Sequence, residues 1–433
     1  MVQFLATLGL VALSYLTAGV NGIPTIEAKG SKLFTSDGNQ FYVKGIAYQL
    51  IPDDPLMTTS QCSADAALMK TIGTNSIRVY HVDPKANHDA CMKAFADAGI
   101  YIWLDLDTFD TQIYEGAPQW NSTQRDAFGK VMDAFHSYDN LAGFFVGNEA
   151  ITTANGSVTA PYVKAATRDL KAYRDSKKYR KIPIGYSAAD IAGLRPMLQN
   201  FLACGTNTSE SLDFFSLNSY SWCGASSYQQ SGYDQLKKMS EPLHIPIFMS
   251  ETGCNTVRPR DFKDQEAIFG DMADTWSGSI IYEWIEEANN YGIIKYGDKV
   301  DPTSPGSPPD GFPRSGTPIP VQPDFDNLSK VWKNLNPTGV KASVYTPNQS
   351  PVSCPEFMAD IWEVNPTAAL PTLGQVHNFQ AGSSTAATPS GAPSGTSAPA
   401  PAQSQGAASD NLGRELKGKG AVLAGVLAVV AWL

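Results

Sequence analysis

The chain has 433 residues, with 32 Lys and Arg against 42 Asp and Glu, a formal net charge of −10. Charged residues make up 17 %, against about 25 % in an average soluble domain, while the aromatics number 8 Trp, 18 Tyr and 19 Phe. This profile excludes the basic footprint of a nucleic-acid binder and a globally disordered chain; it suits a neutral polymer ligand better than a polyanion.

Met1-Val2-Gln3 leads into the apolar stretch Phe4–Leu16 and then small residues, a pattern that predicts a secretory signal peptide over 1–22. Eight short β-branched or aromatic runs follow: Phe41–Tyr48, Ser76–Tyr80, Ile100–Leu106, Leu141–Glu149, Ile182–Ser187, Leu212–Tyr220, Ile245–Glu251 and Ser279–Trp284. Their starts recur about every 34 residues, the length of a strand plus a crossover helix. Helical patterns fill the gaps, among them Asp65–Ile72, His88–Ala98, Gln124–His136 and Pro161–Lys177. The runs are nearly continuous in apolar residues, as in parallel strands covered on both faces. Eight such units in about 250 residues predict an α/β fold, a (β/α)8 TIM barrel. The rival, a doubly wound sheet, lacks its Gly-rich phosphate turn here. The catalytic barrel with a short C-terminal extension is expected over 23–365, and a Ser/Thr/Ala/Pro-rich disordered linker over 366–409.

Residues 410–433 form a polar spacer, Asn411–Gly420, and a terminal apolar run, Ala421–Leu433. Thirteen residues are too few for a spanning helix of about 20. Small residues, spacer and apolar tail together predict a GPI-attachment propeptide, with the attachment residue in Gly406–Asn411. Six cysteines, Cys62, Cys91, Cys204, Cys223, Cys254 and Cys354, include no CxxC pair, so three disulfides are expected and no zinc site. Sequons begin at Asn121, Asn155, Asn207, Asn327 and Asn348. No cofactor or metal is implied, and His81, His88, His136, His244 and His377 show no ligand spacing.

In a barrel of this kind chemistry sits at the C-terminal strand ends. The second run ends Arg78-Val79-Tyr80, where alternation puts Arg78 and Tyr80 on one face. The fourth ends Asn148-Glu149, the sixth Asn218-Ser219-Tyr220, the seventh Ser250-Glu251, and the eighth carries Tyr282 and Trp284. Glu149 and Glu251 therefore face one another across the mouth, the carboxylate pair that glycoside cleavage with retention requires. Asp105 and Asp107 follow the third run, where a capping or turn role is expected, with a subsite contact for Asp107 as the alternative. Glu283 alternates away from Tyr282 and reads as structural, with Glu286 and Glu287 in the following loop.

Several segments resemble glycoside hydrolase family 72: Cys62…Asp65, Gly73–Pro84, His88…Cys91-Met92, Phe145–Glu149, Asn218–Gly224, Ser250–Asn255 and Tyr282…Gly292. The resemblance spans roughly 24–365 and implies a fungal GPI-anchored β-1,3-glucanosyltransferase that elongates cell-wall glucan. It makes Glu149 the acid/base, Glu251 the nucleophile and Asn148 the residue on the sugar 2-hydroxyl. Arg78 would keep Glu251 ionised, and Tyr80, Tyr220 and Tyr282 would contact sugar or nucleophile. It implies the pairs Cys62–Cys91, Cys223–Cys254 and Cys204–Cys354, the first stabilising by about 3–4 kcal/mol on the chain-entropy argument. Thr252 stands where the family often has an aromatic residue. Only Cys354 lies beyond the barrel, so the chain resembles the subclass without the cysteine-rich carbohydrate-binding module. The implied partners are β-1,3-glucan donor and acceptor chains and the membrane, through the anchor, at the outer face of the plasma membrane or in the wall. A plain endo-β-glucanase and a non-catalytic wall-binding protein are the alternatives.

Overall fold

The computed structural model describes residues 22–49 and 54–378. The signal peptide (but for Gly22), the linker from 379 and the anchor-attachment segment lie outside the described residues. A hairpin, β1 (Ile26–Lys29) and β2 (Lys32–Thr35), precedes eight strands. These are β3 (Val43–Ala47), β4 (Ser76–Val79), β5 (Tyr101–Asp105), β6 (Leu141–Asn148), β7 (Ile184–Ala189), β8 (Phe214–Asn218), β9 (Ile247–Thr252) and β10 (Trp276–Ile281). All neighbours pair in parallel, and β10 pairs with both β9 and β3, which closes the barrel. The last strand begins at Trp276 rather than Ser279, and Tyr282–Trp284 already lie past its end.

Helices α1 (Thr59–Thr71), α2 (Asp89–Ala98), α3 (Ser122–Phe135), α4 (Ala160–Ser176), α5 (Arg195–Ala203), α6 (Tyr233–Ser240), α7 (Asp264–Ile268) and α8 (Asp324–Lys333) cover the outside. Their ends follow local chemistry. Asn121 and Gln124 form a reciprocal capping box at the start of α3. Gly99 ends α2 in the left-handed conformation that lacks a Cβ penalty only in glycine. Helix α1 starts six residues before the expected Asp65, and Gln61 in its first turn exchanges two hydrogen bonds with the Gly316 backbone.

Aromatic rings fill the barrel interior. Trp103 lies 5.1 Å from Phe214 and 4.8 Å from Phe248, and Phe145 lies 5.3 Å from Phe214, centroid to centroid. Room for them comes from small residues on the neighbouring strands: a Cβ on Gly185 would stand 2.4 Å from the Phe214 ring. The hairpin closes the N-terminal end, where Ile26 and Leu33 pack with Phe41, Val43 and Tyr101.

Three disulfides brace the shell: Cys62–Cys91 joins α1 to α2, Cys223–Cys254 joins the loops after β8 and β9, and Cys204–Cys354 ties α5 to the C-terminal extension. That extension continues along the barrel to residue 378. Gly374 and His377 N–H donate to the carbonyls of Trp120 and Pro118, and Arg168 donates to the Pro371 carbonyl. Residues 366–378, expected at the start of the linker, thus hydrogen-bond to the barrel; Trp362, just before them, is fully buried. Among the described residues no helix is long and apolar enough to cross a membrane.

Candidate active site

Two irregularities in the ladder aim the functional side chains. Between β8 and β9, Leu217 pairs with Met249 but Asn218 pairs with Glu251, so β9 carries one extra residue. Such a bulge breaks strict alternation. Consecutive side chains, Ser250 and Glu251, accordingly both reach the mouth: Ser250 Oγ donates to Asn218 Oδ1 at 2.8 Å, and Glu251 meets Arg78 at 3.2 Å. On β6 the register passes from Phe145–Gly185 to Asn148–Ser187, again with one extra residue. Glu149 follows with φ of +49°, in the left-handed region that few non-glycine residues adopt. Its N–H donates to the Ser187 carbonyl at 2.8 Å and its Oε1 accepts from Asn218 Nδ2 at 2.8 Å, which hold it there.

Arg78 is the hub of the site. Its side chain is fully buried, its guanidinium lying 4.5 Å from the Phe145 ring centroid below and 4.3 Å from that of Tyr80. Nε and Nη2 clasp Asp105 at 3.0 and 2.7 Å. Nη1 donates to Glu251 Oε1 at 3.2 Å and to Ser187 Oγ at 3.1 Å; Nη2 also donates to Asn148 Oδ1 at 3.0 Å. Burial opposes the guanidinium charge, but Asp105 foremost, with Tyr80 and Glu251, offsets this and holds the group above its ordinary value. Asp105 is a strand residue in a bidentate ion pair, neither a cap nor a turn. Asp107 is pushed up to about 8 by desolvation and by the charge of Asp105.

The two glutamates have unlike surroundings. Glu251, 2 % exposed, receives Tyr80 Oη on Oε1 at 2.8 Å and Tyr220 Oη on Oε2 at 2.7 Å besides Arg78. Every one of these partners is a donor, a set that an ionised carboxylate satisfies. Glu149 receives one amide N–H, and desolvation followed by the nearby Glu251 charge pushes it up to about 7. Glu149 is thus suited to carry a proton at neutral pH, while Glu251 is set among donors alone.

Asn148 completes the layer. Its Oδ1 accepts from Arg78 Nη2, Ser187 Oγ at 2.9 Å and Asn218 Nδ2 at 3.0 Å. Arginine cannot accept, so the atom facing it must be the amide oxygen, and Nδ2 is turned away from the hub.

Tyr282 forms an aromatic wall with Tyr220 and with Tyr291, at 6.4 and 5.3 Å. Tyr291 lies in the loop after β10 and carried no sequence signal of its own beyond its place in the last family motif. Buried Arg260, paired with Asp324 at 2.8 Å, donates to the Tyr282 and Tyr291 carbonyls and ties this loop down. Glu283 is buried beneath the wall, accepting from Asn289 Nδ2 at 2.7 Å, and burial together with Glu287 pushes it well up. Thr252 does not face the mouth: its Oγ1 donates to Asp264 at 3.1 Å between β9 and α7. His88, away from the mouth, is buried against Phe135 and meets Asp54 at 2.8 Å. Of the residues expected at the site, Arg78, Tyr80, Asn148, Glu149, Tyr220 and Glu251 share one network, and Tyr282 joins through its ring. Asp105, Ser187, Asn218 and Ser250 belong to it too. They face inward at strand ends, but polar residues there are common, and their side-chain partners lie 27 to 109 residues away in sequence.

The glucanosyltransferase family model of glycoside hydrolases 72 matches residues 16–305. Protein EPD1 of Candida maltosa is 40 % identical over 367 residues, which cover 82 % of this chain and 63 % of the relative. The 1,3-beta-glucanosyltransferase gas2 of Schizosaccharomyces pombe is 38 % identical over 362 residues, 79 % of this chain and 74 % of its own. Among solved structures, a mutant of Saccharomyces cerevisiae Gas2p in complex with laminaritetraose and laminaripentaose superposes with a TM-score of 0.71. It is 37 % identical, and the match covers 80 % of this chain and 74 % of that one. This chain therefore spans somewhat under two thirds to about three quarters of the length of these relatives. On these matches the chain belongs to the glucanosyltransferase family 72 of glycoside hydrolases.

Proposed function

We propose that the protein is a retaining β-1,3-glucanosyltransferase that cleaves an internal β-1,3-glucan linkage and passes the new reducing end to the 3-hydroxyl of another glucan chain. The observation that carries this reading is the contrast between Glu149, pushed up to about 7, and Glu251, met only by donors. In this reading Glu251 attacks the anomeric carbon while Glu149 gives its proton to the departing glycosidic oxygen. Glu149, now ionised, then takes the proton of the incoming hydroxyl, whose oxygen displaces Glu251 and restores both carboxyls. Asn148 Nδ2, turned from the hub, is placed to hold the 2-hydroxyl of the reacting sugar. Tyr80 and Tyr220 hold Glu251 in line, and Tyr220, Tyr282 and Tyr291 offer aromatic faces to the glucan. The 1,3-beta-glucanosyltransferase of S. pombe and the oligosaccharides bound to Gas2p support the substrate class.

The same reading places the protein outside the cell, anchored to the membrane by a GPI group. Its support is the leader over 1–22, the spacer and apolar tail over 410–433, and three disulfides, which persist in oxidising compartments. Incubation of the secreted protein with end-labelled β-1,3-gluco-oligosaccharides tests the activity. Products longer than the donor are expected. Shorter products alone would make it a hydrolase, and unchanged substrate a binding protein; either result overturns the proposal.

A further inference from the structure

We infer that Asp105 is a positioning residue for the reaction: through Arg78 it sets both the nucleophile Glu251 and the amide of Asn148 that reads the sugar 2-hydroxyl. This rests on the glycosidic role proposed for the site. A guanidinium has five N–H donors in a rigid plane, and the clasp by Asp105 occupies Nε and one hydrogen of Nη2. With that edge held, the plane can no longer rotate about its stem. The remaining donors are then aimed at particular acceptors: Nη1 at Glu251 Oε1 and Ser187 Oγ, and the second hydrogen of Nη2 at Asn148 Oδ1.

The consequence for Asn148 is chemical rather than steric. An amide can flip and exchange oxygen for nitrogen with little change of shape. Here the oxygen is locked inward by a donor that cannot accept, and that donor is itself locked by Asp105. Asp105 is 2 % exposed and lies on β5, while Glu251 lies on β9. Its influence therefore runs through the arginine. An Asp105→Asn change turns one acceptor into a donor facing a donor, so the guanidinium swings and both of its clients lose their aim.

The readout that a merely structural role would not move is the dependence on the 2-hydroxyl. An aryl β-laminaritrioside is compared with its counterpart lacking the 2-hydroxyl on the reacting glucose, in the wild-type protein and in Asp105→Asn. The variant is expected to lose about 10²-fold in kcat with KM changed less than about threefold, the cost of misplacing reacting groups by a fraction of an ångström to an ångström. The ratio of kcat/KM between the two substrates is expected to shrink roughly tenfold, as for a pair of coupled contacts. Should Asp105→Asn fail to fold, Asp105→Glu, which keeps the charge and displaces it by a methylene, carries the same comparison. A normal kcat, or a lowered kcat with the wild-type substrate ratio, overturns the inference. A wild-type protein that cleaves neither substrate overturns the glycosidic reading itself.

Discussion

Glu149 and Glu251 are the same side chain at the same barrel mouth, yet their surroundings divide them. The β9 side presents Glu251 with a guanidinium and two phenols, all donating. The β6 side presents Glu149 with one amide N–H and the field of the other carboxylate. Burial raises the cost of charge on both sides; only one has a cation within 3.2 Å to offset it. The difference teaches that partner chemistry, not residue type, sets two like carboxyls apart.

Substitutions can break this contrast. Glu251→Gln and Glu149→Gln are each expected to cost at least ~10²-fold in kcat on glucan. They part company on a dinitrophenyl donor, whose leaving group needs no proton. Glu149→Gln is expected to recover the release of dinitrophenolate there, seen as a burst, and Glu251→Gln is not; recovery in Glu251→Gln alone would reverse the assignment, and equal recovery in both would remove it. A smaller effect follows from the partners of Glu251: Tyr220→Phe removes one charge-assisted hydrogen bond and is expected to slow glycosyl transfer by about 10- to 100-fold. An unchanged rate would show that the remaining two donors suffice.

The smallest effect sharpens the Glu149 side. Its carboxyl is protonated in the folded protein up to about pH 7, well above its ordinary value near 4.5. The acid form is therefore lost as pH rises through about 7, and kcat/KM for the first step is expected to fall above it. Asn218 donates to Glu149 and pulls its pKa down, so Asn218→Ala is expected to move this basic limb to higher pH. The stability linkage has the same sign. A carboxyl raised on folding favours the folded state below its unfolded pKa, and that contribution is lost as pH rises through the folded value. Glu149→Gln should thus gain stability relative to wild type between about pH 4.5 and 7, measured by urea denaturation; parallel curves would remove the raised value.

Much of this was legible along the chain. The recurrence of strand runs announced the barrel, and strict alternation placed Arg78 with Tyr80, where the structure has Arg78 against the Tyr80 ring and both on Glu251. Alternation misleads where β6 and β9 bulge, because an extra residue is invisible until a partner strand fixes the register. Asp105 reads as a cap or turn residue because its ion-pair partner, Arg78, is 27 residues away. Residues 366–378 fall in the expected linker, yet their backbone N–H groups find the carbonyls of Pro118 and Trp120 on the barrel.

By itself, then, the sequence determined the number and order of βα units, the end of the barrel where the polar strand ends gather, and the two carboxylates there. Those follow from periodicity and residue type, which are local. The raised pKa of Glu149, the donors gathered on Glu251, the orientation of Asn148 and the aim of Arg78 were decided only by the closed barrel. They depend on desolvation and on hydrogen-bond partners from β4 to β9, and neither exists until strands distant in sequence lie side by side.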